Sequence, residues 1–131
     1  MNNSTNLLHT HTHTHTHRNL PILQHLIQAY KTWHEFLPHL PKDSRYTLGG
    51  KIDALLIETI EAVLIGSFLA KEKKLPYIEK AALKLDLAKF FFQIAWEIKA
   101  LDNKKYALIS EKLNDLGRML GGWIRQITSR K

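Results

Sequence analysis

Residues 76–101 read Pro76-Tyr-Ile-Glu-Lys-Ala-Ala-Leu-Lys-Leu-Asp-Leu-Ala-Lys-Phe-Phe-Phe-Gln-Ile-Ala-Trp-Glu-Ile-Lys-Ala-Leu101. At the helical repeat of about 100° per residue, the apolar side chains of this stretch fall into two stripes on nearly opposite sides of one long helix. One stripe contains Leu83, Leu87, Phe90, Phe91, Ile94, Ile98 and Leu101. The other contains Ile78, Ala81, Leu85, Ala88, Phe92, Ala95 and Trp96. One stripe can face the core of a helical bundle, and the other must be covered by something else.

Two helices are predicted before this one. The first begins near Asn19, which can cap it, and ends at Pro38 and Pro41. Its helically spaced apolar face contains Leu23, Leu26, Ile27, Tyr30, Trp33, His34 and Leu37. The second helix starts after Asp43 or Ser44 and continues to about Lys71.

The chain after the second helix predicts two more. Residues 71–75 form a short charged connection, and Pro76 starts the third helix, which ends at about Leu101. Asp102 and Asn103 form the next turn and cap the fourth helix, which continues to near Arg130. Since the sequence shows no strand alternation and the connections are short, it predicts an antiparallel up-down-up-down four-helix bundle.

The double stripe of the third helix also predicts self-association. In a bundle of four helices each helix keeps a side towards solvent, so one stripe is left for contact with another copy of the chain. We assign the oligomer interface to the stripe that includes Ile78, Leu85, Phe92 and Trp96. The alternative is a thick core that absorbs both stripes.

The charge of the chain indicates an anionic partner. The formal net charge is +7 over 131 residues, and residues 1–17 contain none of the charged side chains that produce it. Such an excess favours nucleic acid, an anionic membrane surface or an acidic protein. The length suits one domain, with a disordered His/Thr-rich tail at residues 1–18 and the bundle at 19–131. The tail is polar and has no helical period of apolar residues. Its five His residues, which alternate with Thr, also form a weak candidate site for Zn²⁺ or Ni²⁺.

The sequence favours a soluble, cytoplasmic protein. It contains no cysteine, which fits a reducing compartment. No basic segment followed by an apolar run is visible at the N-terminus, so no signal peptide is predicted. The longest apolar stretch, residues 62–70, is too short to span a bilayer, and no membrane association is expected.

Basic residues are predicted to gather at the two ends of the bundle and on two helix faces. They suit contact with phosphates rather than base reading, because the chain has no recognisable recognition helix, RNA-binding sheet or zinc finger. The candidate nucleic-acid-binding residues are Lys71, Lys73, Lys74, Lys80, Lys84, Lys104, Lys105, Arg118 and Arg125. The simpler interpretation is that these side chains solvate the surface and complement helix dipoles.

No catalytic, cofactor or metal motif is found in the sequence. Phosphate-binding loops and nucleophile elbows are absent. A di-iron bundle needs Glu-x-x-His pairs, and neither Glu58 nor Glu61 is followed by His at that spacing. We therefore expect a non-enzymatic protein without a cofactor.

Three segments resemble the accessory variability determinant (Avd)-like four-helix bundle proteins of diversity-generating retroelements. They are residues 33–49 together with Lys51-Ile-Asp53, residues 85–106, and residues 110–126. The resemblance covers roughly residues 22–127 and implies a basic homopentameric barrel. It also implies association with a reverse transcriptase and its template RNA, in support of mutagenic cDNA synthesis.

A more distant resemblance is to the bundle proteins encoded in ribosomal-RNA intervening sequences. Those proteins typically carry a Ser-Ile-Pro-x-Asn-Ile-Ala-Glu-Gly-like segment where this chain has residues 54–66, which favours the Avd branch. Two other functions remain open: an RNA-associated protein of the intervening-sequence type, and an oligomeric scaffold that binds only proteins. The sequence does not separate RNA from DNA as the partner.

Overall fold

The computed structural model describes residues 21–129, and they form helices and turns without a strand. Helix α1 covers residues 21–36 and is followed by a 3-10 turn, Leu37–His39, and a short helix α2, Lys42–Arg45. Three long helices complete the fold: α3 (Leu48–Phe68), α4 (Lys71–Glu97) and α5 (Asn103–Thr128). The all-α prediction is confirmed. The predicted cap at Asn19 and the predicted tail lie outside the described residues.

Helices α1, α3, α4 and α5 are the four long helices of the bundle and pack side by side. Of these, α3, α4 and α5 alternate in direction. The end of α3 meets the beginning of α4, where a Cβ on Gly66 would lie 2.7 Å from Ile78 Cδ1, so the absence of a side chain permits this close approach. At the other end of α4, the ring of Trp96 stacks on that of Tyr106 near the beginning of α5. Contacts at both ends of α4 therefore place its neighbours antiparallel to it.

Helix α1 closes the bundle through two aromatic side chains. The Trp33 ring meets Phe92 of α4 edge-on, with 5.2 Å between centroids. Asp53 of α3 accepts hydrogen bonds from the Tyr30 hydroxyl at 2.7 Å and from Trp33 Nε1 at 3.1 Å. The hydrogen bond to the Asp53 carboxylate is the main reason that the pKa of Tyr30 is raised to about 12. A buried ring pair and a shared carboxylate thus hold α1 against α3 and α4.

The structure places the two α4 stripes differently from the predicted assignment. Ile78, Leu85 and Phe92, predicted as oligomer interface, lie in the chain's own core, and Phe92 is only 1% exposed. The opposite stripe faces outward, with Leu83 58% and Phe90 55% exposed. The physical reason is that the inward stripe alternates large residues with alanines, which let α3 and α5 approach α4 closely.

The connections also differ from the predicted ones. Residues 71–75 are not a loop but the first turns of α4, because the Lys73 N–H already donates to Ala70 O at 2.8 Å. Pro76 is tolerated inside the helix, where its missing N–H leaves only the first-turn carbonyl of Glu72 without a helical partner. The connection between α3 and α4 therefore shrinks to two residues, 69 and 70.

The entry to the second long helix is broken in two. Helix α2 is separate, because the Arg45 guanidinium donates to the carbonyls of Pro38 and Leu40 and holds this turn of helix against the 3-10 segment. Helix α3 starts only at Leu48. At the α4–α5 turn the predicted cap is confirmed, since the Asp102 side chain accepts a hydrogen bond from the Lys105 backbone N–H at 2.8 Å.

Candidate nucleic-acid interface

The α3–α4 turn and the end of α5 form one pole of the bundle, as the sequence predicts. A shallow cavity there is lined by residues from the beginning of α4 and the end of α5, namely Lys71, Glu72, Leu75, Ile127 and Thr128. Lys71, Lys73 and Arg125 are exposed in this region. Two lysines and an arginine are therefore accessible to an anionic partner at this pole.

Lys74 belongs to the same stretch of sequence but points inward. Its side chain is buried, with 4% exposure, and its Nζ donates to the carbonyl of Gly66 at 2.8 Å. The ammonium also lies 5.9 Å from the ring centroid of Trp123. Burial does not favour the predicted contact of Lys74 with nucleic acid, because this charge satisfies a carbonyl at the C-terminal end of α3.

Two of the predicted basic pairs are only partly available. On α4, Lys80 is exposed, whereas Lys84 Nζ lies 3.1 Å from Glu58 Oε1 across the α3–α4 seam. On α5, Arg118 is paired with Asp115 one turn earlier. Each of these pairs neutralises a cation that a phosphate would otherwise meet, so Lys84 and Arg118 contribute less to the interface than the sequence suggests.

Arg125 stands over the glycine pair of its own helix. A Cβ on Gly121 would lie 3.5 Å from its Nη1, and a Cβ on Gly122 would lie 3.7 Å from its Nη2. The missing side chains let the guanidinium lie along the helix surface while the residue stays exposed. A phosphate approaching this face of α5 would meet the guanidinium, a planar donor that suits two-point contact with oxygens.

The α4–α5 turn forms the opposite pole. Lys104 is exposed, while Lys105 Nζ is 3.2 Å from Asp102 Oδ2 and 6.0 Å from the centroid of the Phe36 ring. The backbone and side-chain hydrogen bonds from Lys105 lower the pKa of Asp102, which therefore stays ionised and holds that lysine. Within the part of the chain that the structure describes, no ion-pair partner is found for Lys71, Lys73, Lys80, Lys104 or Arg125.

Sequence reasoning missed an aromatic pair at this pole. Trp96, predicted as oligomer interface, lies at the end of α4 and is 37% exposed. Its indole is nearly parallel to the Tyr106 ring, with 4.8 Å between centroids and 8° between planes, and Nε1 donates to Asn103 Oδ1 at 2.7 Å. The one signal in the sequence is that Trp96 and Tyr106 flank the turn at similar distances, so an antiparallel hairpin brings them together.

A comparison with family models decides the identity of the chain. The model described as bAvd-like matches residues 20–127, which cover α1, α3, α4 and all of α5 except Thr128. The chain belongs to the bAvd-like family. No curated protein and no solved structure matches this bAvd-like protein.

Family membership indicates the general role of the chain. Avd-like proteins are generally non-catalytic accessory proteins, and membership implies an accessory role in a diversity-generating retroelement. Between residues 21 and 129, no group of three or more His, Asp or Glu side chains is arranged to hold a metal ion. Over the same residues, no helix is both long and apolar enough to cross a membrane.

Proposed function

We propose that this bAvd-like protein is a non-catalytic, basic, cytoplasmic accessory protein that binds RNA or DNA through phosphates. In this role it assists the reverse transcriptase of a diversity-generating retroelement during mutagenic cDNA synthesis. The observation that carries the proposal is the family match over residues 20–127 combined with a net charge of +7. The fold offers exposed lysines and an arginine at its poles, and phosphate contacts need no base-reading element.

Exposure and ion pairing favour some of the candidate basic residues over others as phosphate contacts. Lys71, Lys73, Lys80, Lys104 and Arg125 are exposed and without an intramolecular ion pair among the described residues, so they are the principal phosphate contacts. Lys84, Lys105 and Arg118 act secondarily, since a phosphate must compete with Glu58, Asp102 and Asp115 for them.

Self-association belongs to the same proposal. The outward stripe of α4, formed by Leu83, Leu87 and Phe90 and continued by Ile98 directly after the helix, exposes large apolar side chains over the second half of α4. Contact with a second copy would bury this stripe, and the family resemblance favours a closed pentamer. A ring also repeats each basic pole several times, which raises the effective concentration of binding sites along one strand.

Light scattering after size exclusion tests the assembly. The wild-type protein should elute as an oligomer at micromolar concentration, and Phe90→Asp should dissociate it without unfolding, because the ring is already half exposed in the single chain. Phe90→Leu is the matched control and should keep the oligomer. A monomeric wild type would refute self-association, and an intact Phe90→Asp oligomer would refute this stripe as the interface.

A salt series tests nucleic-acid binding. If about four phosphates are neutralised, log affinity should fall with log salt at a slope near −3 to −4, and a fourfold rise in salt should weaken binding roughly 100-fold. The double variant Lys71→Glu/Lys73→Glu should weaken all sequences alike and flatten the slope by about 2. The control Lys31→Glu/Lys112→Glu makes the same charge change on α1 and α5 and should have a smaller effect.

The competing function is a scaffold that binds only proteins. It predicts that the wild type shows no salt-dependent binding to nucleic acid. It also predicts that the two double variants do not differ from each other in the nucleic-acid assay. Copurification with a reverse transcriptase encoded beside this gene tests the remaining part of the proposal. Failure of that copurification while nucleic-acid binding persists would favour an RNA-associated role of the intervening-sequence type.

A further inference from the structure

We propose that the Trp96–Tyr106 pair is a stacking platform for an unpaired nucleobase, so that the α4–α5 pole selects single strands over duplex. This inference rests on the proposed nucleic-acid-binding function and names the ligand class of one of its two poles. Aromatic rings beside basic residues bind single strands because every base has a face that stacks, whatever the sequence.

The indole of Trp96 is held in a fixed orientation. Tyr106 lies nearly parallel to it at 4.8 Å between centroids, and the hydrogen bond from Nε1 to Asn103 fixes the rotation of the ring. The residue nevertheless remains 37% exposed. A rigid, partly exposed indole backed by a second ring loses little conformational freedom when a flat ligand stacks on it.

A shallow cavity lies beside this indole. It has a volume of about 490 Å³ and is lined by Trp96, Glu97, Lys99, Leu101, Asp102 and Asn103. Tyr106 is not part of this lining. The carboxylates of Glu97 and Asp102 would repel a phosphate but accept hydrogen bonds from the amino groups of a base. The cavity therefore suits a base, and the phosphates lie outside it.

Lys99 occupies a backbone position that normally favours glycine. Its φ is 66°, and the hydrogen bonds from Lys99 N to Trp96 O at 3.0 Å and from Ala100 N to Ala95 O at 2.8 Å form a Schellman cap at the end of α4. Glycine adopts this left-handed conformation without the steric cost that a side chain brings. The lysine therefore stands where glycine would favour the fold.

The Lys99 side chain is placed between two cavities. Lys99 lines the cavity beside Trp96 and a second one, whose lining also includes Phe36 and His39. Lys104, directly after Asn103 in the first turn of α5, is exposed. We assign these two ammonium groups to the phosphates that flank the stacked base, which gives the strained lysine a role that glycine would not fill.

Binding of the full-length protein to a labelled 12-nucleotide single strand and to a blunt duplex of equal length tests the platform. Trp96→Leu should weaken single-strand binding about tenfold, which is the effect of losing one stacked base. Duplex binding should change by less than about twofold, because paired bases cannot reach the ring and phosphate contacts persist. Phe90→Leu removes an exposed ring elsewhere on α4 and should leave the ratio between single strand and duplex unchanged.

Two further measurements guard against an effect on folding alone. The single strand should quench tryptophan fluorescence in the wild type but not in Trp96→Phe, since Trp33 and Trp123 are buried. Lys99→Gly should raise the melting temperature by roughly 2–4 °C yet weaken single-strand binding. Lys99→Met should weaken binding without that rise in melting temperature.

The outcomes separate the two proposals. If the wild type binds neither the single strand nor the duplex, the proposed function itself fails. If it binds both and Trp96→Leu keeps the wild-type ratio, the platform is overturned while the proposed function stands. Quenching that persists in Trp96→Phe, or a Lys99→Gly variant that is more stable and binds single strands as well as the wild type, also overturns the platform.

Discussion

The stabilities of the separate variants Phe92→Ala and Phe90→Ala should show which side of α4 faces the core. The Phe92 side chain is 1% exposed and meets the Trp33 ring edge-on at 5.2 Å between centroids. Phe92→Ala removes a fully buried ring and leaves a cavity, which costs about 3–5 kcal/mol in comparable cores. Since domains of this size are stable by about 5–15 kcal/mol, the loss should be a large part of the free energy of unfolding.

Phe90 provides the matched comparison, two residues away on the same helix. Its ring is 55% exposed, so Phe90→Ala should cost the single chain less than about 1 kcal/mol. Burial of Phe90 in an oligomer would add a loss that depends on protein concentration, whereas the loss at Phe92 should not depend on it. The dependence on concentration therefore distinguishes the core ring from the outward ring.

Urea denaturation followed by circular dichroism measures both effects. The slope of unfolding free energy against urea should stay unchanged, so that the shift in midpoint reports stability. Phe92→Leu keeps most of the buried volume and should recover the stability to within roughly 1.5 kcal/mol of the wild type. Concentration-independent losses that are equal for the two alanine variants, or larger for Phe90→Ala, would refute the assignment of the two stripes.

Three further predictions concern the α3 cap, the α1 hydrogen bonds and the tail. Lys74→Met should lower the melting temperature by several degrees, since the Gly66 carbonyl loses its donor at a cost of about 1–3 kcal/mol, while nucleic-acid affinity changes little; a large affinity loss at unchanged stability would contradict this role. Because the pKa of Tyr30 is raised from 10.0 to about 12, its hydrogen bond to Asp53 should stabilise the fold below pH 10 and be lost as the pH rises through 12. Denaturation against pH should show Tyr30→Phe less stable by about 1 kcal/mol at pH 7, with a smaller alkaline loss than the wild type; identical alkaline profiles would exclude this contribution. Deletion of residues 1–18 should leave the melting temperature, oligomer size and nucleic-acid binding unchanged, and a clear loss of binding would make the tail a functional arm.

The sequence determined the features that depend on local geometry. A spacing of about 3.6 residues produced the helices and resolved α4 into two apolar stripes, because periodicity is a property of one helix alone. Asp102 was predicted as a cap, since its short carboxylate can bond a nearby backbone N–H without help from other helices. The segments at residues 33–49 with 51–53, 85–106 and 110–126 also indicate the family that the match over 20–127 shows.

The tertiary structure decided which groups from different helices meet. Periodicity defines two faces of α4 but not which one is inward, and that choice depends on where α1, α3 and α5 can pack. Lys74 looks like a surface lysine until the carbonyl of Gly66 is brought to it by the neighbouring helix. Trp96 likewise has no fixed orientation until Tyr106 and Asn103 reach it across the turn. Each of these outcomes depends on distances between residues of different helices, which a one-dimensional pattern does not contain.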